Sequence, residues 1–135
     1  MVRNTSNQGH RALLEAAVMA GRRAYAPYSG FRVGAAVQAQ EAIFVGANVE
    51  NASYNLGICA ERVALAGAIA SGQGKISAIA IACIDADADA GLNLRVPCGA
   101  CRQWLSELAP DAEIVLLGVE RVFKVSELLP MPFKL

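Results

Sequence analysis

From residue 10 to residue 24 the apolar positions Leu13, Leu14, Ala17, Val18 and Ala20 recur at helical spacing. Arg11, Glu15, Arg22 and Arg23 fall largely on another side. This pattern predicts an amphipathic first helix that ends between Gly21 and Ala26. Pro27-Tyr28-Ser29-Gly30 is turn chemistry. Phe31 to Gln38 and Ala42 to Val45 then read as two strands of a hairpin, reversed at Ala39-Gln40-Glu41. Asn48 to Asn55 breaks the pattern and predicts a loop, which leads into an alanine-rich helix from Cys59 to Ala70 closed by Ser71-Gly72-Gln73-Gly74. The run Ile76 to Ile84 reads as a buried strand. Asp85 to Gly91 repeats Asp-Ala and reads as a solvated connection, because a calcium loop would need a closing Glu that is absent. Pro97 opens a third helix through Leu108. Glu113 to Leu117 and Arg121 to Val125 predict two more short strands, and Ser126 to Leu129 a last helical turn. Strands alternating with helices predict an α/β layered sheet covered on both faces.

Neither an internal repeat nor a linker interrupts this order, and 135 residues suit a single core, so residues 1–135 are expected to form one domain. Hydrophobic residues make up 55% and charged residues 18%, an apolar balance for a small monomer that points to self-association. Twelve basic and twelve acidic residues cancel, and no basic run exceeds Arg22-Arg23, which speaks against capture of a nucleic-acid backbone. No apolar run approaches the ~18–20 residues needed to cross a bilayer, and Met1 to Thr5 is polar with no apolar stretch behind it. A cytoplasmic, membrane-free protein is the expectation. In that compartment Cys59, Cys83, Cys98 and Cys101 point to metal or catalytic thiols before disulfides.

Two fragments carry the chemistry: Cys59-Ala60-Glu61 at the start of one helix and Pro97-Cys98-Gly99-Ala100-Cys101 at the start of another. Taken alone, the second could be a redox pair and the first an ordinary core cysteine. Cys98 and Cys101 are three apart, so in a first helical turn both thiols project to one side, where the positive end of the dipole favours thiolate. Two such N-termini aimed at one point supply three sulfurs, which suits tetrahedral zinc with one position left for water. A closed structural site would need a fourth ligand. Cys83 lies inside the apolar strand and reads as a buried thiol, while His10 sits at the start of the first helix near the chain end. Glu61, two residues after a ligand, can lie beside the open position without binding the metal, where a proton carrier belongs. The plainer alternative is a first-turn carboxylate that only complements the helix dipole.

A Cys, a Glu two residues later and P-C-x-x-C downstream form the signature of zinc deaminases. The likeness extends to Asn48-Val49-Glu50-Asn51-Ala52-Ser53-Tyr54, to Cys59-Ala60-Glu61-Arg62 and to Pro97-Cys98-Gly99-Ala100-Cys101-Arg102-Gln103. It also takes in Tyr28 to Ala36 and Leu128 to Phe133. Over nearly its whole length the chain resembles the small homotetrameric cytidine deaminases. The resemblance implies a three-layer α/β/α fold on a five-stranded mixed sheet and one Zn2+ per subunit on Cys59, Cys98 and Cys101. It implies that Glu61 moves protons between zinc-bound water and the ring of a free cytidine or deoxycytidine, releasing ammonia and leaving the uracil nucleoside. Zinc with three thiolates carries net −1, which opposes ionising bound water, and Arg62 resembles the arginine that hydrogen-bonds the sulfurs and offsets this.

By the same resemblance Asn48 and Glu50 grip the ribose, and Ala60 belongs with the substrate-binding positions. Phe31 packs against the base, as does Phe133 from a neighbouring subunit, and Tyr54 reaches another subunit's site in a homotetramer with sites at its interfaces. A carboxylate at the 3′-hydroxyl favours a free nucleoside over nucleic acid. Departures are Gly30 and Asn55, where members often carry Lys and Gly, and Arg95-Val96 before Pro97, where Ser or Thr is frequent, which bears on substrate contacts from that loop. Trp104 at helical spacing reads as core. The alanine-rich helix suits packing either on a symmetry mate or within one subunit. Other readings are a deaminase of a related aminated heterocycle, such as isocytosine or blasticidin, and a zinc-stabilised binding module without turnover. Asn48 and Glu50 speak against blasticidin, and the intact Glu61 against the module.

Overall fold

The computed structural model describes residues 2–135, with side chains from residue 8 onward. Its strands are β1 (Val33–Ala39), β2 (Ala42–Ala47), β3 (Ile76–Cys83), β4 (Glu113–Leu116) and β5 (Phe123–Lys124). Its helices are α1 (Val2–Gly21), α2 (Ala60–Ala70), α3 (Gly99–Leu108) and the single turn α4 (Val125–Leu128). The sheet order is β2-β1-β3-β4-β5. β1 runs antiparallel to both β2 and β3, β3 pairs parallel with β4, and β4 antiparallel with β5. This is the mixed five-stranded sheet that the resemblance implied.

The alternation within β3 explains how helices cover both faces. Ile79 and Ile81 point with Ala35 and Val37 of β1 and Ile114 and Leu116 of β4 into a core closed by Ala64, Leu65 and Ala68 of α2 and Leu105 of α3. Ala78, Ala80 and Ala82 point the other way with Ala36, against Leu13 and Ala17 of α1. Strand side chains alternate with period two, so one isoleucine-alanine repeat builds a thick core on one face and a close-packed seam on the other. Leu65, Ile79, Leu105 and Leu116 are all but fully buried, each worth about 1.5–3 kcal/mol against exposure.

Close approach also sets where α2 begins. A Cβ built on Gly46 of β2 would stand 2.5 Å from the Ala60 carbonyl oxygen and 2.6 Å from the Ala64 nitrogen. Only glycine lets the first turn of α2 lie directly on the sheet.

Four expectations change. α1 starts at Val2 rather than near residue 10, because the polar residues before His10 carry no apolar periodicity from which a helix can be read. His10 is therefore inside the helix, its Nε2 3.4 Å from the Glu113 carboxylate. Trp104, expected in the core, is 36% exposed and lines a groove with Ala66, Ile69, Leu108 and Phe133. Asp85 is not simply solvated: it takes two hydrogen bonds of 2.9 Å from the Arg32 guanidinium and one of 2.7 Å from the Arg32 backbone N–H. That pair joins the entry of β1 to the exit of β3, and the guanidinium holds the Asp85 carboxyl down to about 2.

Candidate active site

Cys59 is the N-cap of α2 and Cys98 the N-cap of α3, and neither side chain is spent on capping its helix. Cys101 lies one turn into α3 and is fully buried, while Cys59 is half-buried and Cys98 exposed. Cys59 Sγ is 3.8 Å from Cys98 Sγ, and Cys98 Sγ is 3.6 Å from Cys101 Sγ. All three sulfurs lie within 4.8 Å of one another. The three thiols differ in how readily they lose their protons. Cys59 is held down to about 5, chiefly by a hydrogen bond from Cys101 and further by Arg62. Cys101, the donor in that pair and buried, is pushed far up. A divalent cation displaces such protons, since it binds thiolates.

Cys83 stays apart, as expected of a core thiol. It is 7% exposed, its sulfur donates toward the Leu94 carbonyl at 3.6 Å, and burial pushes it up to about 11.

Glu61 sits in the first turn of α2 and is only 5% exposed. Burial pushes its carboxyl up to about 7. Arg62 turns to the sulfurs instead: its Nη2 donates to Cys59 Sγ at 3.5 Å. Its Nε is buried and has no hydrogen-bond partner among the described residues.

A second group of residues gathers around the turn before β1. Glu50 accepts from the Tyr28 N–H at 3.0 Å, from the Ser29 N–H at 3.1 Å and from the Ser29 hydroxyl, which holds its carboxyl below the ordinary range. Ser29 Oγ also accepts from the Phe31 N–H at 3.0 Å. Asn48 donates to the Phe31 carbonyl at 2.9 Å and accepts from the Val33 N–H at 2.8 Å. Asn48 thus braces the backbone on both sides of Arg32 and keeps one donor and one acceptor site spare. Tyr28, Ser29, Glu50, Asn51, Tyr54 and Gly57 line a cleft of about 380 Å³, in which the Tyr28 and Tyr54 rings meet edge to face with centroids 6.0 Å apart. Phe31 is half-buried against the main core, whereas Ala60 is fully buried against β2. Phe133 is 71% exposed beside α3, its backbone clasped by the Gln103 side chain at 2.9 and 3.1 Å.

Residues 7–117 match the model of the cytidine and deoxycytidylate deaminase zinc-binding region. The chain belongs to this deaminase family. The cytidine deaminase of Halalkalibacterium halodurans is 43% identical over 127 residues, covering 90% of this chain and 91% of that protein. The crystal structure of cytidine deaminase from Burkholderia pseudomallei superposes with a TM-score of 0.81 at 46% identity, covering 92% of this chain and 98% of that one. That from Mycobacterium tuberculosis superposes at 0.78 with 32% identity, covering 93% and 97%.

For a zinc-binding deaminase the donor set fits. Three sulfurs meet at two helix N-termini, an arginine donates to one of them, and an acid stands in the adjoining turn without being one of the three. Several residues that shape this family member went unread in the sequence. Ser29 joins Glu50 to Phe31, Asp85 anchors Arg32, and Arg102 bonds the Pro97 carbonyl at 2.8 Å and the Leu128 carbonyl at 2.9 Å. The matched stretches Tyr28 to Ala36 and Pro97 to Gln103 took in Ser29 and Arg102, whereas nothing in the sequence signalled Asp85.

Proposed function

We propose that this protein is a zinc-dependent cytidine deaminase, converting free cytidine and deoxycytidine with water to uridine and deoxyuridine and ammonia. The observation that carries this is the convergence of three thiols and one buried carboxyl at two helix N-termini, in a chain of this family. Cys59, Cys98 and Cys101 are the zinc ligands, which makes zinc an integral part of each subunit. Zinc held there would act as a Lewis acid toward the attacking water, with the net −1 of three thiolates offset by Arg62 and the two helix N-termini.

Glu61 is the catalytic acid and base. Burial raises its carboxyl above the ordinary range, which suits a group that must both accept and donate protons. Glu61 takes one proton from the water that adds to C4 and passes it to ring N3, then takes the second from the hydroxyl formed at C4 and delivers it to the departing amine, so that the C4 carbonyl forms as ammonia leaves. Arg62 offsets part of the thiolate charge by donating to Cys59. The test is direct: purified zinc-loaded protein mixed with cytidine should bleach the cytidine absorbance band, with uridine and ammonia as products. Full zinc occupancy without turnover of any cytosine nucleoside would leave a zinc-stabilised binding module in its place.

Glu50 and Asn48 hold the ribose, and Phe31 flanks the base. Glu50 is well suited because three donors from Tyr28 and Ser29 keep it ionised and aimed, so it accepts from a 3′-hydroxyl. Cytidine 3′-phosphate is therefore expected to react at least ~10-fold more slowly than cytidine, since two negative groups would meet at one place. Equal turnover of the two would remove this role from Glu50.

The active unit is a homotetramer in the cytoplasm, serving pyrimidine salvage. Tyr54 at 80%, Met131 at 89% and Phe133 at 71% exposure leave large apolar side chains in water on one chain, which subunit contacts would cover. Phe133 and Tyr54 would then each complete a neighbour's site. Sedimentation is expected to give a four-chain species, and a monomer at catalytic concentration would refute this arrangement. Among the described residues no helix is long and apolar enough to cross a membrane.

A further inference from the structure

Arg95 stands two residues before Pro97, in the stretch that departs from the family pattern, and it points inward with 9% exposure. Its Nη2 donates to the Asp87 carbonyl at 2.7 Å, its Nη1 to the Leu117 carbonyl at 3.2 Å, and its Nε lies 3.4 Å from the Ala90 carbonyl. These acceptors belong to two segments, the connection after β3 and the end of β4. None of them is a carboxylate. Gly118, with φ +80°, leaves the space: a Cβ there would stand 3.2 Å from Arg95 Nη1.

The surrounding backbone makes this contact decisive. From Ala86 to Val96 the backbone N–H groups that hydrogen-bond do so only locally, Ala86 to Cys83, Ala90 to Asp87, Leu94 to Gly91, and Arg95 and Val96 to Leu92. The connection is therefore held to the sheet by side chains. Asp85 on Arg32 fastens its start and Arg95 on Leu117 its end. Immediately afterwards Pro97 is fully buried and its carbonyl is taken by Arg102, so Cys98 enters α3 from a segment gripped on both sides.

We infer that Arg95 is a positioning residue for the metal-ligand turn Pro97 to Cys101, setting through its bridge to β4 the place of Cys98 and hence the rate at which metal escapes. This rests on the zinc reading above. Arg95→Met keeps the bulk and leaves three carbonyls without a donor. Arg95→Lys keeps the charge but cannot span both segments. Ile79→Val, a core truncation apart from the cysteines, controls for general loss of stability.

Zinc transfer from the holoenzyme to a chromogenic chelator, followed well below each variant's Tm, should be at least ~10-fold faster in Arg95→Met than in wild type. Arg95→Lys should fall between them, and Ile79→Val should match wild type. With zinc in excess, kcat should drop in Arg95→Met more than KM rises, since Glu50 and Asn48 lie on other segments. Release in Arg95→Met within twofold of Ile79→Val would overturn the inference, and so would Arg95→Lys behaving as wild type. Should Arg95→Met not fold, Arg95→Lys against Ile79→Val decides alone. Wild type purified without zinc would instead refute the zinc reading.

Discussion

Replacing Glu61 by glutamine is expected to abolish turnover while leaving zinc and fold in place. The side chain is 5% exposed, so a substituent of the same shape is needed to avoid a cavity, and glutamine preserves both volume and most hydrogen bonding. It cannot accept a proton from water. Positioned acid-base groups contribute about 10² to 10⁴-fold, and one group used in successive transfers belongs at or above the upper limit, so kcat should fall by ~10⁴ or more. Glutamine also removes an ionisable group whose burial already pushes it toward neutrality, so the variant should be at least as stable as wild type at neutral pH. Metal analysis, thermal melting and the absorbance assay read these three properties separately. Activity within about tenfold of wild type would make Glu61 a helix-dipole carboxylate and would send the search to another base.

The second large effect concerns the cysteines. Apparent binding free energies for zinc on thiolate-rich structural sites reach about 10–16 kcal/mol, so losing one of three protein ligands should weaken binding by orders of magnitude. Cys59→Ala, Cys98→Ala and Cys101→Ala are each expected to purify with little zinc and no activity. Cys101→Ala should also lower Tm, because that side chain is fully buried behind the α3 N-terminus. Cys83→Ala is the counterpart within the same protein. It loses a buried thiol and two weak contacts, to the Leu94 and Arg95 carbonyls, costing about 1 kcal/mol, and should keep full zinc and activity. Zinc retained by Cys98→Ala, or lost only from Cys83→Ala, would overturn the ligand assignment.

The sequence by itself determined the order of elements, the α/β class and the two cysteine motifs whose sulfurs meet. Periodicity reports which face of each segment seeks a core, as in the isoleucine-alanine run of β3. Cys59 and Glu61 lie two residues apart in one motif and Cys98 and Cys101 three apart in the other, where spacing alone constrains their geometry. It also separated Cys83 from the other thiols, since the apolar run around it marks a strand interior.

The tertiary structure alone decided which polar side chains hold those motifs in place. The Asp85 carboxyl on Arg32, the Ser29 hydroxyl on Glu50, the Asn48 amide on Phe31 and the Arg95 guanidinium on Leu117 all join segments far apart in the chain. Nothing in the local pattern distinguishes such a residue from a solvated one. The exposure of Trp104 escaped for a related reason, because a helix's apolar spacing says which residues share a face and not whether another element covers it. Long-range hydrogen bonds and surface coverage depend on where the chain returns, and in a five-stranded sheet that return is set by the packing of all its strands at once.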